Sequence, residues 1–172
     1  MKLDTITNKN DEYYTPEYAI KPILEYAKNY KRIWTPFDTD KSNFVKMFKN
    51  AGLDVVYTHI NYGMDFFKCS VPPGCDCIIS NPPYSLKNEV LARLFNIGLP
   101  FAMLMGVVGM FESQTRFNMF KNNQFEIMYL NKRVSYFKDY DDQKPSLNPP
   151  FQSVYICSKM LEKQIVFKEI DK

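Results

Sequence analysis

Apolar positions along the chain fall into short dense blocks separated by segments with helical spacing. "CDCIIS" (75–80) and "PFAMLMGVV" (100–108) are nearly unbroken apolar runs, as expected of strands covered on both faces. "LDVVYTHI" (53–60) is β-branched and aromatic and predicts another strand, "KRIW" (31–34) a short one, and "GMDFF" (63–67) a very short strand end. Helices are predicted between them. In "TPEYAIKPILEYAKNY" (15–30), Ala19, Ile23, Tyr26 and Ala27 recur at helical spacing behind Thr15 as N-cap and Pro16 at the first helical position, with Pro22 as a kink. "SNFVKMFKNAG" (42–52) opens on Ser42 and stops at Gly52. "SLKNEVLARLFNIG" (85–98) and "SQTRFNMFKNN" (113–123) complete the helices. "FEIMYLNKRVSYF" (125–137) reads as one strand or two, "KDYDDQKPSLNPP" (138–150) as a loop and "FQSVYICSKM" (151–160) as the final strand, which the tail 161–172 extends or packs outside. Alternating strands and helices imply an α/β fold: a doubly wound, mostly parallel sheet ending in an antiparallel pair.

Composition narrows the setting. The chain has 172 residues and fits one domain, 1–172, with no internal repeat. Its net charge of +3 tolerates a nucleic-acid partner without demanding one. No apolar run reaches the length of a membrane span, and the first residues lack the apolar core of a signal peptide, so we expect a cytoplasmic protein. Cys69, Cys75, Cys77 and Cys157 show no paired metal-ligand spacing, and His59 is the sole histidine. We therefore expect no metal site and read the cysteines as small apolar residues in a reducing compartment.

The run 75–80 ends on Asn81-Pro82-Pro83-Tyr84. Ligands of open parallel sheets bind beyond the carboxyl ends of the strands, and this turn follows such an end. The Asn81 side-chain carbonyl and the Pro82 carbonyl are two acceptors held in a stiff segment, able to grip both hydrogens of a planar NH₂ group. Tyr84 offers a face on which a base can stack, worth roughly 1–3 kcal/mol. Such a site works by positioning and electrostatics rather than by a strong base.

The tetrapeptide resembles the catalytic motif of S-adenosylmethionine-dependent amino-methyltransferases, DNA adenine-N6 methyltransferases above all. The resemblance implies a Rossmann-like class I methyltransferase fold. It assigns Asn81 and Pro82 to the amine, Tyr84 to stacking and Pro83 to stiffening the turn. Other segments match the same family. "YYTP" (13–16) resembles its N-terminal cofactor motif, placing Tyr14 and Thr15 at the methionine end of S-adenosylmethionine; on its own it is equally a helix N-cap. "IWTPFDTDKSNF" (33–44) stands where the family has a glycine-rich acidic loop. Pro36 and Phe37 match, Thr35 replaces the acid, and Asp38 can supply a carboxylate for the methionine ammonium. Asp65 and Phe66 of "GMDFF" resemble the segment that holds the cofactor adenine, or else are a surface acid beside a core aromatic. His59 or Asn61 falls where the family binds the ribose. Glycine-poor variants of this kind resemble small methyltransferase-like proteins of phages and mobile elements.

A second match, Asn148-Pro149-Pro150-Phe151, precedes the final strand and is expected to overhang the same sheet edge. With it we group Tyr136 and Phe137, the family's aromatic that stacks on a flipped base, for which core packing is the alternative. The resemblance implies methylation of an exocyclic amine, adenine N6 in DNA first. RNA adenine-N6 or guanine-N2 methylation, or a non-catalytic methyltransferase fold that binds nucleic acid or a protein, are the alternatives. Few residues remain for a separate target-recognition domain, so specificity is expected from loops, a specificity partner or a homodimer.

Overall fold

The computed structural model describes residues 13–145 and 149–172. In chain order these form α1 (Glu17–Ala27), β1 (Arg32–Thr35), α2 (Asn43–Asn50), β2 (Asp54–Tyr57), β3 (Cys77–Ser80), α3 (Lys87–Ile97), β4 (Phe101–Gly106), α4 (Gln114–Asn122), β5 (Glu126–Leu130), β6 (Ser153–Ser158) and β7 (Ile165–Lys168). The strands make one 7-stranded sheet in the order β2-β1-β3-β4-β6-β5-β7. The first four are parallel, β6 runs antiparallel between β4 and β5, and β7 joins β5 in parallel. This is the α/β, mostly parallel sheet with an antiparallel hairpin that the hydrophobic pattern predicts.

Strand alternation divides the core into two layers. Ile33, Cys77, Ile79, Ala102, Leu104, Tyr155 and Cys157 face α1 and α2, meeting Ile20, Ile23, Phe44 and Phe48. Trp34, Ile78, Phe101, Met103, Met105, Val154 and Ile156 face α3 and α4, meeting Val90, Leu91, Leu94 and Phe120. All residues of β3 and β4 are buried, which is why both segments read as continuous apolar runs.

Topology sets where the site lies. The parallel strands β1, β3 and β4 end on one edge, at Thr35, Ser80 and Gly106. Because β6 is antiparallel, it begins at that edge, with Ser153 opposite Gly106. The turns after β1 and β3 and the residues leading into β6 therefore converge.

Three local expectations are corrected. The first helix begins at Glu17, with Pro16 at the cap position and no side-chain cap; the Thr15 hydroxyl instead accepts a hydrogen bond from Asn81 Nδ2 at 3.1 Å. Segment 63–67 is a turn rather than a strand end. Gly63 sits at φ 74°, and the Asp65 carboxylate accepts from the Phe67 amide at 2.9 Å, a local bond that competes with sheet pairing. The strand 153–158 is not the last: the tail adds β7, in register with β5 from Ile127 and Ile165 to Leu130 and Lys168.

Candidate active site

The turn after β3 is organised around one amide. Asn81 Nδ2 donates to the Tyr13 carbonyl at 2.6 Å and to Thr15 Oγ1 at 3.1 Å. Both amide hydrogens are thereby used, and the amide orientation follows from that donor pattern. Asn81 Oδ1 is left buried with no hydrogen-bond partner among the described residues. An unpaired buried acceptor costs about 1–3 kcal/mol, so a donor brought to it would be favoured. Pro82 is buried, and the Pro83 carbonyl accepts from the Leu86 amide at 3.2 Å, which fixes the exit of the turn.

Tyr84 stands at the head of an aromatic cluster. Its hydroxyl donates to Tyr136 Oη at 2.5 Å, and Tyr136 Oη shares a 2.7 Å hydrogen bond with Ser153 Oγ. Burial pushes the Tyr84 phenol well above its ordinary pKa, so it stays protonated and keeps this bond. The Tyr84 ring lies 5.7 Å from Phe151 in an edge-to-face contact and 5.2 Å from Tyr13 in a near-parallel stack of 17°. Gly106 makes room for Phe151: a Cβ at that position would come within 2.8 Å of the ring.

A narrow cavity of ≈ 30 Å³ adjoins the amide, lined by Tyr14, Thr15, Phe37, Asp38, Ser42 and Asn81 among others. Asp38 is 5% exposed and accepts from Ser80 Oγ at 2.5 Å. Desolvation raises its pKa to about 6, against the opposing hydrogen bonds of Ser80 and Ser42. A carboxyl held in this state gains most from a cation brought to it. The cavity is closed from the side of 138–145. Tyr140 stacks on Tyr14 with ring centroids 4.1 Å apart and hydrogen-bonds Ser42 Oγ at 3.1 Å. Gln143 and Asn43 exchange amide hydrogen bonds of 3.0 and 3.2 Å. The space left holds about two waters. In donor chemistry the lining fits the methionine end of S-adenosylmethionine, with a buried carboxyl for the ammonium and aromatic rings for a sulfonium. In volume it is far smaller than that group.

The remaining predicted residues divide clearly. Tyr14, Thr15, Phe37 and Asp38 come together with Asn81. Pro36 is buried and outside that lining. Phe66 is 2% exposed, packed on Trp34 and Phe37 at 5.5 and 4.8 Å with the Arg93 guanidinium 5.1 Å from its ring centre. Asp65 closes its own turn and approaches Lys68 at 3.8 Å. His59 Nδ1 accepts from the Asn61 amide at 3.0 Å. Tyr136 and Phe137 are corrected: at 0% and 1% exposure neither ring has a face for a base. Tyr136 anchors Tyr84 from below, and the Phe137 backbone pairs with Tyr14 through bonds of 3.1 and 3.2 Å. Asn148 lies outside the described residues. Tyr13, Phe151, Tyr140 and Ser42 were not assigned from sequence. Tyr13 and Phe151 do sit inside the two quoted motifs, and that was their only signal.

No protein-family model matches the chain. No curated protein sequence matches it either. Solved structures do match in shape. One is assigned as the modification subunit of a type I restriction enzyme from Vibrio vulnificus YJ016, with a TM-score of 0.56 and 11% identity over 95% of this chain. The present chain spans 48% of that subunit. Another is the 23S rRNA methyltransferase ErmE, with a TM-score of 0.52, 14% identity, and coverage of 89% of this chain and 71% of that one. The sheet order and these neighbours together define the fold as Rossmann-like, of the class I methyltransferase type.

Proposed function

We propose that the protein is an S-adenosylmethionine-dependent methyltransferase acting on an exocyclic amine of a nucleic-acid base, adenine N6 in DNA first. The observation that carries this reading is the buried Asn81 Oδ1, left unpaired and fixed in orientation because Tyr13 and Thr15 hold both amide hydrogens. An acceptor fixed in this way, beside the rigid Pro82 carbonyl, takes the two hydrogens of an NH₂ group. Holding both biases the nitrogen lone pair out of the base plane, towards attack. The gain is one of positioning and electrostatics, requiring no reorganisation at the moment of reaction.

The cofactor, when bound, supplies an electrophilic methyl group. Asp38 holds its ammonium, and Tyr14, Thr15 and Phe37 line its methionine end. Asp65, Phe66 and His59 serve the adenosine end in the family resemblance, and Pro36 stiffens the loop between. Tyr84 is the ring on which a base stacks, with Phe151 edge-on beside it. In a duplex the base must leave the stack to arrive here. The fold is shared with a modification subunit and with an rRNA methyltransferase, which supports a nucleic-acid substrate and keeps RNA as the alternative. Asn148 belongs to the substrate side.

One observation favours a second reading, a methyltransferase fold that binds nucleic acid without transferring a methyl group: the cavity of only ≈ 30 Å³. Thermal unfolding with S-adenosylhomocysteine separates the two. A ligand at a hundredfold excess over Kd stabilises by about 2.7 kcal/mol, so the enzyme reading requires a clear rise in Tm. An unchanged Tm at millimolar ligand would leave the binding-protein reading.

A further inference from the structure

We propose that Tyr13 holds the place of the target base on Tyr84, and that a base enters by displacing this one ring. The inference rests on the function proposed above and concerns how the site admits its substrate. Three rings enclose Tyr13. It stacks on Tyr84 at 5.2 Å and 17°, meets Tyr136 edge-on at 5.5 Å and 68°, and meets Phe151 at 6.5 Å and 73°. The face of Tyr84 that a planar base would need is therefore covered by a planar side chain from the same molecule.

Two features separate the ring from its backbone. The Tyr13 carbonyl accepts from Asn81 Nδ2 at 2.6 Å, and the next residue is paired on both sides with Phe137. The main chain is thus fixed by three hydrogen bonds, one of which holds the Asn81 amide. Among the described residues the ring makes aromatic contacts with Tyr84, Tyr136 and Phe151, and it is half-buried. A rotation about χ1 moves the ring and leaves those bonds intact. Tyr84, in contrast, is tied through its hydroxyl to Tyr136 and Ser153, so it stays while Tyr13 moves. Only a base already out of its stack can compete for such a place. The preferred substrate class is thus an unpaired or flipped purine in a single strand.

The test uses the full chain and a short single-stranded oligonucleotide carrying 2-aminopurine, whose fluorescence falls on stacking. Tyr13→Ala removes the competitor and is expected to bind about two- to tenfold tighter than wild type, the range that one aromatic pair represents. Tyr13→Leu should lie between, and Tyr13→Phe should match wild type. Equal or weaker binding by both Tyr13→Ala and Tyr13→Leu, with Tm confirming that they fold, would overturn the proposal and make Tyr13 a fixed wall. Methyl transfer by wild type is followed in parallel. Transfer without tighter binding by the variants removes only the gate. Absence of transfer and of cofactor binding removes the function on which it rests.

Discussion

At Asn81 the acceptor is left unpaired because the donor end of the same amide is already engaged. Asn81→Ala should therefore leave the fold in place and lower methyl transfer by about 10²–10³, the usual effect of removing one preorganised group. Initial rates with labelled cofactor, beside a thermal melt, check this. Asp38 carries the opposite compromise. Its pKa in the folded chain is about 6 against an ordinary 3.8, so the native state holds its proton over a window in which the unfolded chain has lost it. Stability falls as pH rises through that window and is flat above it. The gap corresponds to a cost of about 3 kcal/mol at neutral pH. Asp38→Asn should thus stabilise the protein relative to wild type at pH 8, by a margin that shrinks towards pH 4, as denaturant titrations at several pH values would show. Cofactor affinity should fall as pH drops below about 6, because the carboxylate that meets the ammonium is lost. Gly106→Ala is the third residue test. Its new Cβ pushes into the Phe151 ring, which can yield, so Tm should change little while binding of a 2-aminopurine strand weakens several-fold.

At the scale of elements, segment 138–145 is a strap pinned to the start of α2. Tyr140 reaches Ser42, Gln143 reaches Asn43, and Gln143 adopts φ 49°, a conformation that few side chains favour. Loss of one stack and one hydrogen bond weakens the strap by about 1–2 kcal/mol. Tyr140→Ala should accordingly speed cofactor association several-fold in stopped-flow fluorescence, with a smaller change in affinity. What the hydrophobic pattern could and could not reveal divides along the same elements. β3 and β4 were legible because burial on both faces writes a continuous apolar run. Segment 63–67 was not, since Asp65 before two phenylalanines has the composition of a strand end, while the turn is made by the Asp65 side chain on the Phe67 amide together with backbone bonds from Lys68 and Cys69 to the Asp65 carbonyl. β7 hides in a polar tail, with Ile165 and Phe167 exposed and Val166 buried, and its partner β5 lies far away in sequence. The residues of the Asn-Pro-Pro-Tyr turn could be grouped from the sequence because they are adjacent. The aromatic box could not. Tyr13, Tyr136 and Phe151 meet only through the sheet order, and composition alone could not say that Tyr136 is buried and Phe151 half-buried.

On the scale of the whole molecule, the sheet edge brings together the Asn81 amide, the rings of Tyr13, Tyr84, Tyr136 and Phe151, and the small cavity beside Asp38. No helix among the described residues is long and apolar enough to cross a membrane. A net charge of +3 gives only a weak electrostatic hold on nucleic acid, so binding should be modest and fall with added salt. On the proposed function, target choice should rest on how readily a base leaves its stack, which would favour single strands over duplex. Labelled-methyl transfer from S-adenosylmethionine to single-stranded DNA, duplex DNA and RNA, with Asn81→Ala alongside, measures this directly. The expected result is label in adenine N6, greatest with single-stranded DNA and absent with the variant. Label that appears equally with Asn81→Ala, or in none of the three acceptors while S-adenosylhomocysteine leaves Tm unchanged, would contradict the amine-grip mechanism.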